Sequence, residues 1–336
     1  MADMNAGFRW SPTGLRLVAA ASGLWLNVFD GLTARLRSGR MNKPKRALLS
    51  LLLGLNRRFL AAGQTRPILV WGALPDGTVF GHAFADPYWS KGGLREGSYE
   101  PEILSFLIAV RDIDFDFIDC GANYGYWSAL VSGPALGRHK AVAIEGSPVT
   151  FRNLGRVNAR NQGRFTAINN AIAATDGEEI EFQHSFHHAG SQVLSVGGDI
   201  GHTQSDEVAV VKTVSISTLI ERYSAPGRPL VIKLDVEGFE IEAIKGATLA
   251  LQHDSILAYE DHGMDPESRV TGFLLDQGWT VYWPVLDGDG ALVRLDPVTD
   301  AESLKALTTN PVQIFGLQGL GVIGPCARAD IVVWDG

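Results

Sequence analysis

One short run, residues 115–128 (FDFIDCGANYGYWS), constrains the fold more than any other part of the sequence. Its apolar first half reads as a strand ending at Asp119, and Gly121 and Gly125 then bracket a tight turn into a helix. Glycine lets a ligand approach the backbone closely at the carboxyl end of a strand, and the next helix offers unpaired N–H groups. The run therefore predicts a strand–turn–helix unit that holds a nucleoside-like ligand.

Segments of strand and helix character alternate from this run onward. The predicted strands are 115–119, 140–145, 166–170, 230–235 and 255–260, and the predicted helices are 124–133, 150–162, 216–223, 241–250 and 267–277. Before the run, a hairpin around residues 75–77 and a helix at 100–110 are expected; after it, a hairpin-rich stretch at 178–215 and late antiparallel strands at 279–283, 291–295 and 313–317. Alternating strand–helix units predict an α/β fold, with a parallel sheet covered by helices on both faces.

Charge divides the chain into two unlike parts. Residues 1–60 hold ten of the 29 Lys and Arg residues but only two of the 37 Asp and Glu residues, a net charge of +8, which leaves −16 on the remainder. An acidic body repels a phosphate backbone, so nucleic acid is disfavoured as a partner. The two cysteines, Cys120 and Cys326, are too few for a disulfide framework or a cysteine-based zinc site, and they fit a reducing, cytoplasmic location.

The predicted domain organisation has three parts: a basic, apolar helical extension at 1–62, a short hairpin-rich lead-in at 63–98, and the main domain at 99–336. The apolar run at 47–55 is too short to cross a bilayer, which requires about 20 residues. We favour helices that pack on the main domain or on a partner subunit, including a second copy of the chain. Peripheral contact with the inner face of a membrane, through flanking Lys and Arg side chains, stays open as the alternative.

The turn between Gly121 and Gly125 lacks the third glycine of the dinucleotide-binding fingerprint, which argues against a nucleotide-dependent oxidoreductase. Asp119, before the first glycine, suits a ligand with a cationic amine better than a pyrophosphate. Glu145 ends the second predicted strand, where an acid holds a ribose diol. S-adenosylmethionine carries both an amine and a ribose, so it is the ligand we expect.

At this point the sequence resembles the FkbM family of methyltransferases over about residues 97–262. The matching positions are Gly97, Tyr99, Glu100, Asp119, Gly121, Ala122, Asn123, Gly125, Glu145, Ser147, Pro148, Phe151, Asn153, Leu154, Asn158, Asn161, Asn170, Ala171, Gly190, Ser191, the run 232–246 (IKLDVEGFEIEAIKG) and Glu260. Gly146 departs from the family pattern, which usually has a proline there, and the continuation at 261–263 has no counterpart that we recognise.

The resemblance implies a Rossmann-like class I methyltransferase fold, with a mostly parallel seven-stranded sheet and S-adenosylmethionine as the methyl donor. By position, Asp119 and the turn at 121–125 would serve the methionine part, Glu145 the ribose, Asn170 with Ala171 the adenine rim, and Asp235 the sulfonium and the acceptor. The full set of implied donor-binding residues is Tyr99, Asp119, Gly121, Ala122, Asn123, Gly125, Glu145, Ser147, Asn170, Ala171 and Asp235.

The expected reaction is O-methylation of a hydroxyl on a sugar, glycan or secondary metabolite, which requires a general base near the methyl carbon. The candidate catalytic residues are Asp235, Glu237, Glu260 and His262, and we favour His262 because histidine titrates in the useful range. A second histidine group, His184, His187 and His188, has no clear metal-binding geometry, so no metal is expected. A non-catalytic S-adenosylmethionine-binding or membrane-associated module is the remaining alternative.

Overall fold

The computed structural model describes residues 69–84, 86, 89, 99–184, 192–193, 207–259, 268–289, 291–300 and 330–333. Three isolated positions of the N-terminal segment, 28, 32 and 51, are also described, and each is helical. The rest of the predicted extension and the predicted strand at 313–317 lie outside these ranges. Within the described part of the chain, no helix combines the length and hydropathy that a bilayer crossing requires.

The described strands form three sheets. They are β1 Leu69–Ala73, β2 Val79–Ala83, β3 Asp116–Cys120, β4 Lys140–Ile144, β5 Thr166–Ile168, β6 Ala171–Ile172, β7 Glu179–His184, β8 Gln192–Val193, β9 Glu207–Val214, β10 Leu230–Leu234, β11 Ser255–Tyr259, β12 Val281–Leu286, β13 Leu292–Val298 and β14 Asp330–Val333. The helices are α1 Pro101–Val110, α2 Tyr126–Val131, α3 Pro148–Arg160, α4 Ile216–Tyr223, α5 Glu240–Lys245 and α6 Arg269–Asp276.

The main sheet has the order β13-β12-β14-β11-β10-β3-β4-β5. Its neighbours β11, β10, β3, β4 and β5 are parallel, whereas β14 pairs antiparallel with both β11 and β12. The expected seven-stranded, mostly parallel sheet is therefore present, which confirms the Rossmann-like α/β class. Strand β13 pairs antiparallel with β12 and adds an eighth strand at the edge.

Both faces of the sheet are covered because successive side chains of a strand point to opposite faces. In β3, Phe117 packs in one core cluster with residues of α1, α2 and α3, and Ile118 packs in a second cluster with residues of α4, α5 and α6. The predicted helices therefore divide between the two faces, and every residue of β3 is buried.

The antiparallel hairpin formed by β1 and β2 belongs to the first of these clusters, through Val70 and Phe80. Its attachment is also polar: the carboxamide of Asn161, just beyond α3, accepts from the Val79 N–H at 2.9 Å and donates to the Val79 carbonyl at 2.7 Å. The lead-in hairpin predicted from the turn residues is confirmed, and it packs directly on the main domain.

A smaller sheet, β6-β9-β7-β8, follows the edge strand β5. Strand β7 pairs antiparallel with β9 along the whole length of β7, and β6 pairs parallel with the end of β9. The hairpin-rich character predicted for 178–215 is therefore confirmed.

Several element boundaries differ from the predicted ones. Helix α2 begins at Tyr126 because Gly125, with φ of 81°, turns the chain immediately before it. Strand β5 ends at Ile168, so Asn170 lies beyond the strand. The helix predicted at 241–250 ends at Lys245, where Gly246 packs against the Ala173 carbonyl, and a short 3-10 turn follows at Ala250–Gln252.

Gly121 fixes the contact between two strand ends. Its φ is +82°, and a Cβ at this position would lie 1.7 Å from the carbonyl oxygen of Asp235, directly after β10. The Asp235 N–H donates to the Cys120 carbonyl at 3.0 Å in the same place. A side chain on Gly121 would therefore force the ends of β3 and β10 apart.

Replacing Gly121 with Ala should lower the free energy of unfolding by about 3 kcal/mol or more, since it adds a backbone clash to the cost of a left-handed conformation. The matched control is Gly77→Ala, because Gly77 has φ of +84° but nothing within 4 Å of a Cβ. The control should lose only about 1–2 kcal/mol. Urea denaturation measures both values, and equal losses would show that the close approach at Gly121 has no energetic weight.

Candidate active site

Three acids predicted from the sequence lie at the carboxyl ends of adjacent parallel strands. Asp119 is the fourth residue of β3, Glu145 directly follows β4, and Asp235 directly follows β10. Since β4, β3 and β10 are neighbours in the sheet, these ends share one edge. The charges of Asp119 and Asp235 both act on Glu145, so the three carboxyl groups form one acidic site.

One carboxylate oxygen of Asp119 is held by hydrogen bonds, and the other is not. Its Oδ2 accepts from the Oγ of Ser128 at 2.6 Å and from the Ser128 backbone N–H at 3.2 Å. Its Oδ1 is buried and has no hydrogen-bond partner among the described residues. Burial raises the pKa of Asp119, and the charge of Lys233 and the bonds from Ser128 oppose that rise. A buried carboxylate oxygen with an unused acceptor position is suited to a cationic donor group.

Lys233 is the internal cation of the site. It pairs in register with Asp119 across β10 and β3, so the two side chains lie on the same face of the sheet. Its ammonium lies 3.0 Å from Oδ2 of Asp235, and its side chain is 5% exposed. Burial lowers the pKa of this ammonium, but the carboxylates of Asp235, Glu100 and Asp119 outweigh burial and raise the pKa above the ordinary lysine value. Lys233 is therefore a fixed positive charge and not a proton acceptor.

Glu145 is held by backbone N–H groups. Its Oε2 accepts from Asn123 at 2.9 Å and its Oε1 accepts from Ser147 at 2.8 Å. Burial raises the pKa of Glu145 to about 7, although both N–H groups and the acids nearby act on it as well. Asn123 has φ of 50°, which turns its N–H toward the carboxylate, so the glycine-rich turn and the end of β4 are joined.

The end of β5 supports this arrangement through a residue that the sequence did not single out. Asn169 donates from Nδ2 to the carbonyls of Glu145 and Gly146, at 2.7 and 2.9 Å. Its neighbour Asn170, the predicted adenine-rim residue, donates instead to the carbonyl of Lys212 at 2.8 Å, and Ala171 begins β6. Asn170 and Ala171 thus link the small sheet to the site, and Asn169 orients the loop that carries Glu145.

Glu240 holds the backbone of the loop after β10 in place. Its Oε1 accepts from the N–H groups of Val236 and Gly238, both at 3.1 Å, and the residue is 1% exposed. Glu237, one of the predicted catalytic candidates, lies in this loop with φ of 52°. The other candidates, Glu260 and His262, lie outside the described residues, as do His187 and His188. Asp235 is therefore the catalytic candidate whose contacts with the site are defined: Oδ2 is bound to Lys233, and Oδ1 has no hydrogen-bond partner in the described ranges.

An aromatic wall borders the acidic site next to α1. The ring of Tyr99, a predicted donor-binding residue, lies 4.7 Å from Trp89, 5.0 Å from Tyr126 and 6.0 Å from Trp127, measured between centroids. Trp127 donates from Nε1 to Oε2 of Glu100 at 2.5 Å. Glu100 had no predicted role at the site. The signal in the sequence that could have identified Glu100 was its place among the positions before α1 that match the family.

Comparisons with known proteins agree on one class of enzyme. The family model described as the methyltransferase FkbM domain matches residues 119–276. The hexuronic acid methyltransferase AglP of Haloferax volcanii is 30% identical over 176 residues, which cover 52% of this chain and 67% of that protein. The chain belongs to the FkbM family of methyltransferases.

Solved structures show weaker likeness. A methyltransferase FkbM of Methylobacillus flagellatus KT is 18% identical with a TM-score of 0.35, over 55% of this chain and 42% of that chain. Fibrillarin of Aeropyrum pernix, crystallised with S-adenosyl-L-methionine, is 13% identical with a TM-score of 0.32, over 68% and 94% of the two chains. This chain thus spans less than half of the FkbM structure, and the family assignment depends on neither of these likenesses.

As an FkbM methyltransferase, the protein uses S-adenosylmethionine as its cofactor, and the carboxylates of the site fit the cationic groups of that molecule. Two buried carboxylate oxygens, Oδ1 of Asp119 and Oδ1 of Asp235, have unused acceptor positions in the described ranges. When bound, the cofactor supplies an electrophilic methyl group on a sulfonium. The protein would supply carboxylates for its cationic groups and a hydrogen-bond acceptor for its ribose.

Donor binding to this FkbM methyltransferase should release protons near pH 7. Burial raises the pKa of Glu145 to about 7, and ribose hydroxyls that donate to the carboxylate would lower that pKa. A carboxyl group that loses its proton on binding makes affinity rise with pH, so the dissociation constant should fall by up to about tenfold per pH unit below pH 7 and level off above pH 8. Calorimetry in buffers of different ionisation enthalpy measures the released protons, and Glu145→Gln should abolish the release. A donor affinity of the unmodified protein that does not change with pH would refute the role of Glu145 in donor binding.

Proposed function

We propose that this FkbM methyltransferase transfers a methyl group from S-adenosylmethionine to a hydroxyl oxygen of a sugar or glycan. The observation that carries the proposal is the likeness to a hexuronic acid methyltransferase across two thirds of that protein's length, 30% identical over the aligned residues. The acidic edge formed by Asp119, Glu145 and Asp235 supports it, because the site offers carboxylates to a cationic donor.

In this proposal the donor lies across the carboxyl ends of β4, β3 and β10. Asp119 and the turn at 121–125 bind the methionine part, and Glu145, with Asn123 and Ser147, binds the ribose. Asn170 and Ala171 border the adenine, which is supported by their place between the end of β5 and the start of β6. Asp235 faces the sulfonium, since its Oδ1 is available while Lys233 holds its Oδ2.

Methyl transfer is an in-line displacement, so most of the protein's contribution is positioning of the two reactants. The hydroxyl of the acceptor must also lose its proton as the new bond forms. Lys233 is permanently charged and Oδ2 of Asp235 is engaged by it, which leaves neither atom suited to accept a proton. We therefore retain His262 as the proposed general base, with Glu237, Glu260 and Asp235, through its Oδ1, as the alternatives.

The acceptor is proposed as a sugar hydroxyl and not specifically a uronic acid. The cation described at the site, Lys233, is already paired with Asp235, so it does not attract an anionic acceptor.

A panel of neutral hexoses, free hexuronic acids and glycans containing each, incubated with radiolabelled donor, identifies the accepted class. The position of the new methyl ether follows from NMR. Absence of label in every sugar, with label in another hydroxyl compound, would overturn the acceptor class and leave the donor site intact.

The regions outside the matched family segment have proposed roles of their own. We keep the division into an N-terminal extension at 1–62, a lead-in at 63–98 and a methyltransferase domain at 99–336. The extension is proposed to pack on the domain or a partner subunit, with peripheral membrane contact as the alternative. Co-sedimentation of the full chain and of a chain lacking residues 1–60 with anionic vesicles separates the two, because equal sedimentation excludes the membrane role.

Replacing Asp119 with Asn should weaken donor binding at least 100-fold, because the amide removes the negative charge that faces the donor's cationic end. The matched control is Asp116→Asn, three residues earlier on the same strand. Asp116 points to the opposite face, where it pairs with Arg228 at 3.3 Å, so its loss should reduce stability without changing donor affinity. Calorimetric titration of both variants decides, and equal losses of affinity would remove Asp119 from the site.

Replacing His262 with Ala should lower kcat about 100-fold or more, the usual contribution of general base catalysis, and leave the dissociation constant of the donor unchanged. The measurement compares single-turnover methyl transfer with donor titration. A kcat near that of the unmodified enzyme would transfer the role to Asp235, Glu237 or Glu260, whose amide variants are then tested in the same way.

A further inference from the structure

Glu100 is held in an unusual backbone conformation at the start of α1. Its φ is 43° and its ψ is 67°, in the left-handed region that a residue with a Cβ seldom adopts. Its side chain makes no capping bond to the helix. Instead Oε2 accepts from Nε1 of Trp127 at 2.5 Å, and the side chain of Tyr99 also hydrogen-bonds the carboxyl group. The strained backbone thus directs the carboxyl group toward the acidic site and not toward its own helix.

The charges that act on Glu100 locate it at one end of the site. They are Lys233 and Asp235, both at the end of β10. Glu145, the proposed ribose residue, lies at the end of β4, on the other side of β3. A nucleoside whose ribose is bound at Glu145 and which extends over β3 brings its opposite end to β10. In S-adenosylmethionine that opposite end is the amino-acid part.

Among the described residues, carboxyl groups outnumber cations at the same end of the site. One ammonium, that of Lys233, serves the carboxylates of Glu100, Asp119 and Asp235. Asp119 is 1% exposed, and its Oδ1 has no hydrogen-bond partner in the described part of the chain. Buried carboxylates require a counter-charge or hydrogen-bond donors. A ligand ammonium placed between Glu100 and Asp119 supplies both.

We propose that Glu100 is a donor-binding residue whose carboxylate, together with Asp119, accepts hydrogen bonds from the α-ammonium group of S-adenosylmethionine. The inference rests on the proposed donor site and deepens it, since it assigns the residue that selects an amino-acid-bearing nucleoside. Glu100 lies outside residues 119–276, the segment matched by the family model. Trp127 is then a positioning residue, because its indole N–H holds the Glu100 carboxylate.

The test titrates three ligands into the full chain by calorimetry: S-adenosylmethionine, S-adenosylhomocysteine and 5′-methylthioadenosine. The first two share the amino-acid part, the first alone carries the sulfonium, and the third lacks the ammonium. Glu100→Gln should weaken binding of the first two at least tenfold, by the same factor, and leave the affinity for 5′-methylthioadenosine unchanged. Glu100→Asp keeps the charge and should lose less affinity for the first two ligands than Glu100→Gln loses.

The matched control is Glu242→Gln, the same chemical change at an exposed acid of α5 that pairs with Lys245 at 2.5 Å. Its affinities for the three ligands should equal those of the unmodified chain.

Unchanged binding of S-adenosylmethionine in Glu100→Gln would overturn the inference but not the proposed function. An equal loss for all three ligands would do the same, because it indicates a general structural effect. A loss confined to S-adenosylmethionine would assign Glu100 to the sulfonium and so overturn it too. If the unmodified chain bound none of the three, the proposed function would fail together with the inference.

Discussion

Among the described residues, the site depends on the buried ammonium of Lys233, which lies among the carboxylates of Asp235, Glu100 and Asp119. Without that charge the acids at this end of the sheet would repel one another in a poorly solvated place, and they would take up protons or separate. The strand itself places the ammonium: Lys233 is the fourth residue of β10 and stands in register with Asp119 of β3. The pairing of Lys233 with Asp119 is thus a consequence of the parallel register between two core strands.

The rest of the site is supported by groups that hold loop backbone or a carboxylate in place. Glu240 fixes the loop after Asp235, Asn169 fixes the loop after Glu145, and Ser128 fixes the Asp119 carboxylate. Such contacts keep the acids at the three strand ends in position. Their position matters because a shift of about 1 Å at a catalytic group can reduce the rate by about 100-fold. The core therefore contributes to function through geometry, since each of these loops begins where a buried strand ends.

The sequence was sufficient to predict the parts of the site that follow from strand order. Asp119, Glu145 and Asp235 each close an apolar strand, and the carboxyl ends of parallel strands meet at one edge, so their convergence was predictable. Glu100 was not, because it comes from the start of a helix and depends on a left-handed backbone and an indole contact that periodicity does not encode. Asn169 was missed for a smaller reason: β5 ends two residues earlier than predicted, and that boundary decides which asparagine faces the Glu145 loop.

Charge also explains why such a site distinguishes the two ends of its ligand. At the β4 end, backbone N–H groups hold Glu145, whose pKa burial raises to about 7, so this group exchanges a proton easily when a hydroxyl donates to it. At the β10 end, burial raises the pKa values of Glu100 and Asp119, and the charge of Lys233 opposes that rise and favours their charged forms. A neutral sugar-like group therefore suits the first end, and an ammonium or sulfonium suits the second. In the proposed donor orientation, the order of strands in the sheet would set the direction in which the donor lies, and with it the side from which a hydroxyl approaches the methyl group.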